Sequence, residues 1–71
     1  MKGRKEIRNA LIDRGFTGQI DLYFWHTDGW YCDCDQMMHN WIGQNTKHAV
    51  ERIKKGDFDE WVGHIIKTDI K

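Results

Sequence analysis

Residues 19–35 read QIDLYFWHTDGWYCDCD, and the way this stretch divides decides the fold. Its first half is β-branched and aromatic, with Ile20, Leu22 and Phe24 alternating against Asp21, Tyr23 and Trp25, the period of two that a half-buried strand requires. Asp28 and Gly29 mark a turn, and WYCDCD runs back from it. Loop length then sets which side chains share a face, because a slip of one residue sends every side chain to the opposite side. A two-residue loop, Asp28-Gly29, sets Phe24 opposite Asp33 and Leu22 opposite Asp35, so both faces mix core and charge. A three-residue loop, Thr27-Asp28-Gly29, with Gly29 in the left-handed position of a bulged turn, pairs His26 with Trp30, Phe24 with Cys32 and Leu22 with Cys34. That register sorts the hairpin: Ile20, Leu22, Phe24, Trp30, Cys32 and Cys34 face one way, and Asp21, Tyr23, Trp25, Tyr31, Asp33 and Asp35 the other.

Upstream, Ile7, Ala10, Leu11 and Arg14 recur at helical spacing and Gly15 stands where a helix C-terminal glycine belongs, which predicts a helix over 3–14. Downstream, MMHNWIG (37–43) alternates weakly, with Met38 and Ile42 against Met37, His39 and Trp41, and is a candidate third strand ending at Gly43. Asn45 or Thr46 caps a second helix, whose Ala49, Val50 and Ile53 form an apolar stripe and which Gly56 ends. Asp57 with Glu60 three residues later is a capping pattern for a last helix that carries Phe58, Trp61, Val62 and Ile65 on one face. The expected fold is α+β in a single domain over 1–71: an N-terminal helix, an antiparallel hairpin or three-stranded sheet, then two helices, in the order αββ(β)αα.

Seventy-one residues remove only about 60% of their unfolded surface from water, so the core must be dense. Four Trp, two Tyr and three Phe are enough for a metal-free core and leave some rings to spare. No apolar run reaches the roughly 20 residues that span a bilayer, and the charged, amphipathic start is unlike a secretion signal. The expected location is the cytoplasm, away from any membrane. The two cysteines are separated by one residue, too near for an unstrained bridge, so reduced thiols are expected. There is no serine, which removes serine-nucleophile mechanisms.

Formal charge is zero but unevenly laid out: +3 over residues 1–20, −4 over 21–35, +3 over 36–56 and −2 over 57–71. Neutral overall charge argues against a general nucleic-acid binder, whose affinity rests on many phosphate contacts. Blocks of alternating sign predict an acidic sheet between more basic helices. Lys2, Arg4, Lys5 and Arg8, with Lys47, Arg52, Lys54 and Lys55, form two basic helix faces, the basis of an alternative reading as a nucleic-acid-binding accessory domain.

Cys32, Cys34 and His39, with His26, His48 or His64 as a fourth, supply the residue types of a zinc site. Cys-x-Cys on an extended strand, however, puts two thiols on one face without curling round an ion, and burial beside Leu22 and Phe24 accounts for them without metal or any other cofactor. A cysteine nucleophile needs an electropositive setting, whereas Asp33 and Asp35 flank these thiols. The acid pairs Asp33/Asp35 and Asp59/Glu60 suit an exposed strand and a first helical turn as well as they suit catalysis. No enzymatic signature is present, and an enzyme is not expected.

The outward face of the hairpin is more informative. Unless a helix covers them, Tyr23, Trp25 and Tyr31 stand together in solvent, interleaved with Asp21, Asp33 and Asp35. Such aromatic anchors suit a protein partner, and the carboxylates repel phosphate. An open strand edge at Gln19 to His26 offers a second way to associate, strand to strand with a second copy, and the expected state is a monomer or a homodimer. In chain length and element order, with two helices joined at KKGDFDEW, the sequence resembles small phage or mobile-element inhibitors of the anti-CRISPR kind. That resemblance implies a non-enzymatic protein that blocks a larger host protein by steric or allosteric occlusion, since imitation of a nucleic-acid backbone calls for strong acidity.

Overall fold

The computed structural model describes residues 3–62. It is an α+β arrangement of helix α1 (Arg4–Asp13), strands β1 (Asp21–Trp25), β2 (Gly29–Asp33) and β3 (Asn40–Gly43), helix α2 (Thr46–Lys55) and a 3-10 turn (Asp59–Trp61). The three strands form one antiparallel sheet in the order β1-β2-β3.

Both helices end by the same device. Gly15 and Gly56 take left-handed φ of 110° and 95°. After α1 the Gly15 and Phe16 N–H groups bond back to Ile12 and Leu11, and after α2 the Gly56 and Asp57 N–H groups bond back to Ile53 and Arg52. Orphan carbonyls of the last turn are satisfied in each case, and only glycine reaches that φ without a Cβ penalty. At the start of α2, the Asn45 side chain accepts the His48 N–H at 2.8 Å, so Asn45 rather than Thr46 is the cap.

The hairpin sorts its side chains as the alternation requires, but its register differs by two residues from the expected one. Leu22 pairs with Cys32, Phe24 with Trp30 and Trp25 with Gly29, so the loop is His26 to Asp28 and Gly29 opens β2. A shift of two preserves every face. The reason lies in Gly29 itself: at φ 112° a Cβ there would run into the Gly43 carbonyl and Gln44 Cα, so this position must be bare backbone inside the sheet, not the tip of the loop.

One core holds the layers together. Ile7, Ala10 and Leu11 of α1 and Ala49 and Ile53 of α2 pack with Leu22, Trp30, Cys32, Cys34, Met37, Ile42, Phe16 and Phe58. Both helices therefore lie on the inward face of the sheet. Gly43 lets α2 come so close that a Cβ there would sit 2.6 Å from the Ala49 backbone. Arg14 pairs with Asp59, which ties the 3-10 turn to the end of α1.

Two expectations are corrected. Met37 is buried with Ile42 while Met38 is exposed, the reverse of the expected grouping, because the strand begins only at Asn40 and His39 turns the chain through φ 49°. The Asp57/Glu60 pattern caps nothing among the described residues: Asp57 is held by Arg52 at 3.1 Å and faces Lys55, and a 3-10 turn without a side-chain cap follows. Gly63, His64 and Ile65 of the expected last helix lie outside the described residues. No described helix is long and apolar enough to cross a membrane.

Candidate functional site

The face of the sheet turned away from α1 and α2 carries a row of rings laid across all three strands. Tyr23 of β1 stands opposite Tyr31 of β2, and Tyr31 stands opposite Trp41 of β3. Cross-strand neighbours on one face lie close enough for direct side-chain contact. His39 leans on the first two, its ring centroid 5.8 Å from Tyr23 and 6.0 Å from Tyr31. Trp25 flanks the row with only Gly29 opposite it. Trp25, Tyr23 and Trp41 are 57%, 40% and 38% exposed, while Tyr31, in the centre, is half-buried.

Polar contacts fix two of these rings in place. The Trp41 indole N–H donates to the Asp28 carbonyl at 2.6 Å, and the Tyr31 hydroxyl donates to Asp28 Oδ2 at 3.5 Å, so the hairpin loop anchors one ring from each of β2 and β3. At its far end, Trp41 meets the His48 ring edge-on at 6.0 Å and the Arg52 guanidinium at 5.3 Å from its centroid. His48 is itself oriented, since its Nδ1 accepts the Gln44 N–H at 3.0 Å.

Carboxylates border the rings. Asp21 and Asp33 are cross-strand partners in the row next to Tyr23 and Tyr31, both half-buried. Asp21 accepts from Gln19 Nε2 at 3.2 Å. Half-buried Asp35 follows β2 and packs against Gly18, where any Cβ would collide with it. The six residues expected from sequence, Tyr23, Trp25, Tyr31, Asp21, Asp33 and Asp35, thus belong to the strand positions of one face and its border. Sequence reasoning missed Trp41, His39 and Asp28. Trp41 was legible as a strand residue of alternating phase, but joining it to Tyr31 needs the β2-β3 register, which shifts between Trp30 and Tyr31.

On the inward face Cys32 and Cys34 are fully buried. The Cys34 thiol donates to Gln36 Oε1 at 3.6 Å, and the buried Gln36 amide donates in turn to Thr17 Oγ1 at 2.9 Å. The two thiols share protons unequally. Cys34 is drawn down to about 6, chiefly by the Cys32 thiol and further by the backbone N–H groups of Gln36 and Met37. Cys32 is pushed far up by that same bond and by burial. His39 lies on the other face from these sulfurs, so the Cys32, Cys34 and His39 set does not converge; among the described residues no three His, Cys, Asp or Glu gather round a point that could hold a metal ion.

The basic helix faces are partly spent inside the molecule. Arg4 Nε donates to the Leu22 carbonyl and Arg8 Nη2 to the Ile20 carbonyl, each at 3.3 Å. Arg52 lies 4.7 Å from the Phe58 ring centroid, bonds Asp57 and reaches the Ile42 carbonyl at 3.5 Å. Between the helices runs an open groove of about 630 Å³ with Ala10 and Val50 in it and charges of both signs around them, Glu6, Asp13 and Glu51 with Lys47 and Lys54. No protein-family model, no curated protein and no solved structure matches the chain.

Proposed function

We propose that this protein is a small non-enzymatic binding module, an inhibitor or accessory protein of the kind phages and mobile elements carry, that docks on a larger host protein through the aromatic and acidic face of its sheet. One observation carries the reading: Tyr23, Tyr31 and Trp25 stand as strand neighbours on the side of the sheet that neither described helix covers, and Trp41 extends the row to where the His48 and Arg52 side chains of α2 reach it. Contiguous exposed rings bordered by charge are uncommon on a surface that meets only water, and Trp and Tyr are the side chains that most often anchor an interface. Tyr31 and Trp41 are also held in place before any partner arrives, which lowers the ordering cost of association.

The nucleic-acid alternative has less support. Three of the arginines on which it rests, Arg4, Arg8 and Arg52, are engaged with backbone carbonyls, and carboxylates border the only ring platform among the described residues. The test is partner capture from a host extract by the immobilised protein, followed by affinity measurement with the purified partner. Trp25→Ala, at an exposed site, is expected to leave the circular dichroism spectrum unchanged and to weaken the affinity at least about tenfold, the loss typical of an interface anchor. Unchanged affinity would show that the docking surface lies elsewhere.

A further inference from the structure

Resting on that docking reading, we infer that the occupant of the ring row is a basic protein segment that lays an arginine side chain across Tyr23, Tyr31 and Trp25, approaching the sheet from its face and not from an edge. Each edge is partly occupied by the chain's own guanidinium groups. The Ile20 carbonyl just before β1 and the Leu22 carbonyl within it, two residues apart along one border, accept Arg8 and Arg4. On β3 the Ile42 carbonyl accepts Arg52. A strand added at either border would have to displace these donors, because edge pairing uses the same carbonyls.

What remains is recognition by side chains, and the face is built for a planar cation. The π-faces of Tyr and Trp attract cations, guanidinium above all, because it stacks flat while its N–H fork stays free for carboxylates. Asp21, Asp28, Asp33 and Asp35 border or anchor the row and provide the charge complementarity. The molecule already displays the geometry once: at the β3 end of the row its own Arg52 guanidinium lies over Trp41 at 5.3 Å. An incoming arginine continues that pattern along Trp25, Tyr23 and Tyr31, the exposed His39 ring that leans on the two tyrosines swinging aside to admit it. Phosphate meets the opposite field.

The test follows the Trp25 and Trp41 indole N–H signals and the Tyr23 and Tyr31 ring signals by NMR at low salt. Capped hexa-arginine, hexa-lysine and hexa-glutamate and a ten-nucleotide oligothymidine are titrated into the full chain. Hexa-arginine is expected to shift these four residues and to bind about tenfold tighter than hexa-lysine, the difference that stacking on rings makes over point-charge attraction. Asp21→Asn with Asp28→Asn is expected to weaken it by a similar factor. The inference is overturned if hexa-arginine and hexa-lysine bind alike, if the shifts map to Glu6, Asp13 and Glu51 in the interhelical groove, if oligothymidine binds more tightly, or if the patch is filled by a second copy, seen as Trp25-dependent dimerisation in sedimentation. Loss of partner affinity on Trp25→Ala together with no preference for hexa-arginine would leave the docking reading intact and remove only the basic occupant. If Trp25→Ala changes neither measurement, both fall.

Discussion

Gly29 answers two demands at once, a left-handed φ of 112° and a backbone contact with Gly43 and Gln44 that leaves no room for a methyl group. Gly15 answers mainly the first: its nearest neighbour to a new Cβ is the Val62 side chain at 3.1 Å. Gly29→Ala is therefore expected to cost about 2–4 kcal/mol, strain and overpacking together, and Gly15→Ala about 1 kcal/mol. Urea unfolding of the two variants beside the parent checks the ordering. Equal losses would mean that the Gly29 to Gly43 contact relaxes without cost. At the same scale, the Cys34 thiol ionises in the folded chain near 6, below the ordinary 9.0. Between these values the unfolded chain holds the extra proton, so this group adds stability as pH rises from about 6 towards 9 and the gain is lost as pH falls back through 6. Cys32 works the other way: its raised value makes its contribution fade above pH 9. The stability difference between the parent and Cys34→Ser, followed by urea midpoint from pH 5.5 to 8.5, is expected to widen with pH. A constant difference would refute the unequal sharing.

At the scale of elements, the edges and caps lend themselves to separate tests. Asn45→Ala removes the acceptor of the His48 N–H and is expected to cost about 1 kcal/mol. Arg4→Ala with Arg8→Ala uncovers the Ile20 and Leu22 carbonyls. Concentration-dependent self-association is expected to appear in that double variant and not in the parent, as sedimentation velocity can measure. The elements also show how far the sequence reaches. The face of every hairpin residue was readable because alternation depends on parity alone, and a register error of two leaves parity untouched. Both glycine-ended helices were readable because the cap chemistry is local. The third strand was readable to its end at Gly43, but its start and the phase of 37–39 were not: His39 adopts φ 49°, a conformation its side chain does not advertise, and the phase of Met37 and Met38 inverts there. The cap read at Asp57 failed because Arg52 and Lys55, in the last turn of α2, compete for the same carboxylate.

Across the whole molecule, the candidate site was half legible. Tyr23, Trp25 and Tyr31 could be placed together from one hairpin, whereas Trp41 and Asp28 joined them only through pairing with a third strand and a loop contact. The row makes its own prediction. Trp41→Ala deletes the ring that Asp28 and Arg52 hold, and is expected to loosen the hairpin loop as well as the ring row. Faster amide hydrogen exchange at His26 to Asp28, beside unchanged exchange in α1, is the measurable result. Equal exchange in parent and variant would mean that the loop is held without it.

The guanidinium groups at the borders of this small sheet leave the side that no described helix covers an unusual freedom. Positions 23 and 25 project outward from a scaffold whose apolar packing lies on the opposite side, so randomising them in a display library should vary the exposed face without tangling copies of the molecule into fibrils.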